Sequence, residues 1–234
     1  VFGQTIVGPM LTGILFLIVI SIAWGDDRVE VLGLPFIEFL APGLISMQVI
    51  QQAFSHSSSS ILMGKVMGNI VDLIGSPLSA AEVTLAIVLA SVTRSFIICI
   101  VSIICFNLLV DVKVLNYYYF FAYLIFSSFF MGSLGFIAGM WAEKFDNMAT
   151  VTNFIIVPLS FLSGAFYSIE RLPDFLKSIS NYNPFFHMID GLRFSMIGTS
   201  DGSTIFGLSY LLSFNLIFWC IAYYLYKKGY KIKS

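Results

Sequence analysis

Long apolar stretches separated by short polar clusters set the organisation of this chain. Residues 6–24 are closed by Gly25-Asp26-Asp27-Arg28, and residues 36–56 by Ser57, Ser58, Ser59 and Ser60. Residues 83–110 end at Asp111-Val112-Lys113, and residues 115–141 at Ala142-Glu143-Lys144-Phe145-Asp146. Residues 148–166 and 205–226 complete the set. Each stretch is close to the roughly 20 apolar residues that a bilayer crossing requires. The pattern predicts an all-α polytopic membrane protein with six transmembrane helices. Trp24, Trp141, Tyr117, Tyr118, Tyr119 and the tyrosines between 223 and 226 stand at segment ends, where amphipathic rings favour the headgroup region.

Two connections are too long for turns. Residues 64–77 carry an apolar stripe of Val66, Ile70, Val71, Leu73 and Ile74 beside Lys65, Asn69 and Asp72, and halt at Gly75-Ser76-Pro77. This spacing predicts a short amphipathic helix. Residues 167–204 contain two short amphipathic runs, about 173–179 and about 184–197, each opened by a proline that fits a first helical turn. Neither run is long enough to cross. Both are expected to dip partway into the membrane with their backbone ends buried by other helices.

Orientation follows from basic residues in short loops. Lys227, Lys228, Lys231 and Lys233 crowd the C-terminal tail and assign it to the cytoplasm. Six crossings then bring the N-terminus to the same side. On this topology residues 64–77 are cytoplasmic and residues 167–204 external.

Composition sharpens the class. Charged residues make up 11% of the 234-residue chain and hydrophobic ones 58%, with mean hydropathy +0.92; a soluble domain carries about 25% charged residues. The net charge of −1 supplies no clustered basic surface for phosphate backbones, which argues against a nucleic-acid partner. Cys99, Cys105 and Cys220 sit inside apolar runs and match no metal spacing, so they read as packing residues. Phe and Tyr, at 24 and 11 copies, suit an amphipathic cargo and suit bilayer packing equally.

Candidate chemistry is sparse. Gly64-Lys65 is followed by Val66 and lacks the glycine that a phosphate-binding loop needs, and no H-E-x-x-H or G-x-S-x-G pattern occurs. His56 and His187 fall on opposite sides of the membrane in this topology, which disfavours a shared metal site. Arg94 is an ionisable group inside a predicted crossing, which is costly. Counting about 17 residues from Arg94 to Val110, the crossing is nearly complete without it, so Arg94 is expected to snorkel to the inner headgroups or to pack on a cytoplasmic partner. No carboxylate lies mid-membrane. That weakens an ATP-independent secondary transporter or channel, the alternative from another class.

Four stretches resemble the ABC-2-type permeases, the membrane subunits of bacterial ATP-binding cassette exporters: "FGQTIVGPMLTGILFLIVI", "FLAPGLISMQVIQQAFS", "GNIVDLIGSPLSAAE" and "VPLSFLSGAFYSIERLPDFLKSISNYNPFFHMIDGLRF". The likeness covers nearly the whole chain in order. It implies a coupling helix in residues 64–77 that seats in a groove on a separate ATPase. The matching positions are Asn69, Asp72, Leu73, Ser76 and Pro77, with Lys65 as the single basic residue of the segment. It further implies two permease copies, as a homodimer paired about the first and fifth helices, and two ATPase copies that hold ATP-Mg, with no cofactor on this chain. The external re-entrant pair would cap a path lined by Gln48, Gln51 and Gln52 in the second helix and Asn153, Pro158 and Ser160 in the fifth. Interhelical hydrogen bonding would equally explain the amides. The location implied is the bacterial inner membrane. The family carries a basic amphipathic helix before the first crossing, and since the chain opens at Val1, that helix is expected to be missing from the sequence.

Overall fold

The structure is a computed structural model that describes residues 2–24, 30, 31 and 33–231. Ten α-helices follow in order: α1 (Phe2–Trp24), α2 (Phe36–Val66), α3 (Ile70–Gly75), α4 (Ala80–Phe106), α5 (Tyr117–Trp141), α6 (Phe145–Val151), α7 (Val157–Leu162), α8 (Asp174–Tyr182), α9 (Pro184–Ile197) and α10 (Thr204–Lys227). A two-residue antiparallel ladder, Glu30–Val31 with Leu34–Pro35, precedes α2 and departs from a purely helical expectation. Gly33 turns that ladder at φ +75, a left-handed conformation that glycine adopts without strain. Gly25-Asp26-Asp27-Arg28, Lys233, and the side chains of Trp24 and Ile74 lie outside the described residues.

Among the described residues four helical segments are long and apolar enough to cross a membrane: Ala80–Phe106, Tyr117–Trp141, Phe145–Leu162 and Thr204–Lys227. In α1 the corresponding apolar stretch is the shorter Met10–Ile20. The α2 helix has ample length, 31 residues or about 46 Å, but Glu38, Gln48, Gln51, Gln52 and its serines lower its hydropathy. Among the described residues it also carries more buried positions than any other helix. Phe39, Leu40, Ile45, Val49, Ile50, Ala53, Phe54 and Leu62 are all buried against its neighbours. Polar side chains are tolerated there because other helices, rather than lipid, surround them.

The α2–α5 contact is the spine of the bundle. A Cβ added to Gly135 would stand 2.4 Å from the Phe54 carbonyl oxygen, and one on Gly139 would stand 2.7 Å from the Ser58 oxygen. Small residues spaced one turn apart let two membrane helices approach to backbone contact. The α4 and α10 helices flank this pair, α1 leans on α2 and α4, and α9 packs against α2, α5 and α10.

Three boundaries differ from the expected ones. First, α2 runs through the serine cluster to Val66 instead of stopping at His56. Ser58 Oγ donates to the Ser55 carbonyl at 3.2 Å, Ser59 Oγ to the same carbonyl and Ser60 Oγ to the His56 carbonyl at 2.7 Å, so three of the four hydroxyls are returned inside the helix, while Ser57 Oγ is buried with no partner. Second, α4 starts at Ala80 and ends at Phe106 instead of Val110. Asn107 closes it by exchanging hydrogen bonds with the Val112 backbone at 2.9 and 3.1 Å. Third, the fifth segment ends at Leu162 and is broken by a π-helical turn over Thr152–Ile156. That turn lies directly before Pro158, whose ring and missing N–H do not fit a regular α-helix interior.

Candidate functional site

Side-chain contacts define two ends of the bundle. At one end Lys65 Nζ donates to the Met140 and Ala142 carbonyls at 2.8 and 2.6 Å, and Lys231 pairs with Glu143 at 2.9 Å. At the other, the Leu115 and Asn116 amides both donate to the Ser195 carbonyl at 3.0 Å. The predicted coupling segment therefore shares an end with the basic C-terminal tail, and the hairpin of α8 and α9 lies at the opposite end.

The segment 64–77 is built from a helix stop, a turn and a new start. After Met67 the chain turns through Gly68 at φ +78, then forms the six-residue α3. Ser76 Oγ donates to the Leu73 carbonyl at 2.7 Å, and Ser79 with Glu82 forms a reciprocal capping box that opens α4. Ile70 is buried with Ile61, Phe136, Met140 and Ala222, which pins α3 to the bundle. Among the described side chains the stripe does not fold inward as one face: Val71 is 68% exposed and Val66 is exposed, as are the neighbouring Met67 and Leu78. Asn69, Asp72 and Pro77 are exposed beside them, while Leu73 and Ser76 are half-buried. The Lys65 ammonium is turned away from this surface and occupied on α5. Burial lowers its pKa, Glu143 opposes that shift, and Lys231 adds to it.

The six candidate path residues separate into two groups. Gln48 and Gln51 line a cavity of about 350 Å³ together with Thr12 and Phe16 of α1, Phe161 of α7, and Phe166. Phe166 stacks on Phe161 at 4.9 Å and meets Phe16 edge-on at 5.2 Å, closing one side of the cavity. Gln48 Oε1 accepts from Ser102 Oγ of α4 at 2.7 Å, and Gln52 is half-buried further along α2. Asn153 and Pro158 are exposed on the outer surface of their helix, and Ser160 is buried with its hydroxyl returned to the Ile156 carbonyl at 2.7 Å.

Two clusters escaped the sequence reading. At the hairpin end, Arg193 is fully buried, its guanidinium 4.0 Å above the Phe39 ring, donating to the Gly164 carbonyl and standing 3.8 Å from Asp201. Asp190 accepts from the Asp201 and Gly202 amides at 2.8 and 3.0 Å, and Asp201 accepts from Ile169 N at 3.1 Å and from Ser168 Oγ. The i, i+3 spacing of Asp190 and Arg193 was the only trace of this cluster in the sequence. Within the bundle, Arg94 of α4 meets His56 of α2, Nη1 to Nδ1 at 3.0 Å. From Arg94 to Phe106 the helix rises only about 18 Å, well short of the roughly 30 Å hydrocarbon core. This rise is shorter than the one expected from Arg94 to Val110, because α4 ends earlier than its hydropathy suggested.

Comparisons with known proteins bear on what this arrangement does. A family model described as ABC-2 type transporter matches residues 2–197. The chain is 28% identical over 234 residues to the inner membrane transport permease YadH of Escherichia coli (strain K12), covering 100% of this chain and 91% of that protein. A shorter match is to nodulation protein J of Rhizobium leguminosarum bv. viciae, 33% identical over 66 residues, or 28% of this chain and 26% of that one. The same-named protein of Sinorhizobium fredii (strain NBRC 101917 / NGR234) is 28% identical over 88 residues, or 38% and 34% of the two chains.

Proposed function

The chain belongs to the ABC-2 type transporter family, and from that premise we propose that it is the permease subunit of an ATP-binding cassette exporter in the bacterial inner membrane. It provides the translocation path and carries no catalytic residue of its own. ATP-Mg is bound and hydrolysed on two copies of a separate ATPase subunit, and two copies of this chain pair as a homodimer. Six helices cross the membrane (α1, α2, α4, α5, the α6–α7 segment and α10), the α8–α9 hairpin enters from outside, and both termini are cytoplasmic. The similarity to an inner membrane transport permease over the full length supports the location.

One observation carries this reading: a pinned but outward-facing segment at the end of the bundle that holds the basic tail. Ile70 anchors α3 while Val66, Met67, Val71 and Leu78 stay exposed around Asn69 and Asp72. A monomer in water gains nothing from presenting these apolar side chains, whereas an apolar patch rimmed by polar groups suits a protein partner. Closure of the ATPase pair on ATP would push this segment, and the force would pass through Ile70 into α2 and α5. The shift between inward-open and outward-open states then comes from the ATPase binding one state better than the other.

The test is co-purification. Replacing Asp72 with Arg and Leu73 with Trp is expected to abolish recovery of the ATPase with the tagged permease and leave membrane insertion intact. Undiminished recovery of the complex would reject the assignment.

A further inference from the structure

The contact between Arg94 and His56 joins two groups that donate hydrogen bonds and leaves them without an acid. Arginine has only donors, so Nδ1 of His56 is the acceptor in the 3.0 Å contact. The imidazole is therefore neutral, with its proton on Nε2 and available to donate. Arg94 Nε is buried with no hydrogen-bond partner. No salt bridge reaches Arg94 among the described residues. The helices around it do not supply one either. The nearest acid on α4 is Glu82, about 18 Å along the helix, and on α2 it is Glu38, about 27 Å away; α1 and α5 contain no acidic residue.

A guanidinium in a membrane helix normally faces a counter-charge or a polar cavity. The polar approach is present. Gln48, Gln52, Ser55, His56 and Ser59 recur on one face of α2, and Gln52, Ser55, His56 and Ser59 keep exposed or half-exposed surface. We propose that Arg94 and His56 form a site for a phosphate or carboxylate group, so that the molecule handled by this permease carries an anionic head past this point. Arg94 supplies the charge and a forked set of donors, and His56 fixes the fork and adds Nε2–H. That the bound molecule is cargo rests on the permease reading, but its binding does not.

The full-length chain, purified in a zwitterionic detergent, is titrated with dodecyl phosphate, with dodecanol and with inorganic phosphate while its melting temperature is followed. Dodecyl phosphate is expected to raise the melting temperature saturably and dodecanol to leave it unchanged. The midpoint concentration should weaken by about tenfold or more in R94Q, the loss expected for one charged hydrogen-bonded contact, while R94K, which keeps the charge but not the fork, should fall between the unaltered chain and R94Q. A response to inorganic phosphate as well assigns the anion to the aqueous phase, and a response to dodecyl phosphate alone assigns it to the membrane; both support the site. Equal responses to dodecyl phosphate and dodecanol, or an unweakened midpoint in R94Q, overturn it. Should R94Q fail to fold, H56A provides the second variant, with a weakened midpoint expected and an unchanged one counting against the site. No ATPase subunit enters this measurement, so its failure and a failure of the coupling assignment are separately visible.

Discussion

The contacts of single side chains explain where this chain is rigid. Lys65 ends one helix on the carbonyls of another, supplying donors where the last carbonyls of α5 have no helical partner. Nearby, the bond from Lys231 holds the Glu143 carboxyl below the usual carboxylate range, and the same bond holds the Lys231 ammonium above the usual lysine range. For a depressed carboxylate, the stabilisation is complete above its unfolded pKa and is lost as pH falls through the lower folded one. For a raised lysine, it is complete below the unfolded pKa and lost as pH rises through the higher folded one. The tail should therefore stay docked from neutral pH down through the ordinary carboxylate range and loosen only below it. Limited proteolysis of the tail across that range checks this, and E143Q should loosen the tail already at neutral pH. Both groups are exposed, so this tether has little bearing on global stability.

At the scale of elements, glycines in α5 and the buried arginine in α9 determine how helices meet. Gly135→Leu places side-chain atoms where the Phe54 carbonyl already sits. Overpacking costs about 1–3 kcal/mol, and because the obstacle here is backbone the upper part of that range is expected, read as a lower melting temperature. Arg193→Ala leaves Asp201 buried without its cation and frees Gly164 from α9. Breaking a buried pair by removing one partner costs about 3–5 kcal/mol. The loss should exceed that of Gly135→Leu and should free the hairpin locally, detectable as faster amide exchange across 163–169 and 198–203. Serines inside α2 teach the complementary lesson. A run of four hydroxyl residues reads as a helix stop in sequence, yet back-bonding of Ser58, Ser59 and Ser60 to the preceding turn lets the helix continue.

For the whole molecule, one of the exposed apolar flanks is formed by α1 and the fifth segment. Exposed Val7, Leu11, Leu15 and Val19 run along α1, and on the fifth segment Phe154 is 77% exposed beside Ile155. The Gln48–Gln51 cavity is walled by these same two segments. A second copy placed on this flank would turn a side cavity into an enclosed path. Cysteines introduced at Leu11 or Phe154 are expected to form intermolecular disulfides in membranes, while one at Leu216 on α10 is expected not to. Cross-linking confined to Leu216 would reject that pairing.

The sequence by itself determined the membrane class, the order of the apolar segments, the hairpin helices after Pro173 and Pro184, and a separate short helix near Asp72. Hydropathy and proline or glycine punctuation are local properties, and they govern whether a segment leaves water and where a helix starts. Only the tertiary structure decided which polar groups share a neighbourhood. Arg94 and His56 are thirty-eight positions apart, and each looks solitary along the chain, as do Arg193 and the Gly164 carbonyl. The same holds for which half of the coupling stripe is buried: Ile70 finds a pocket between α2 and α5, while Val71 has nothing to pack against. Burial depends on what the neighbouring helices place opposite a residue, and no local pattern encodes that.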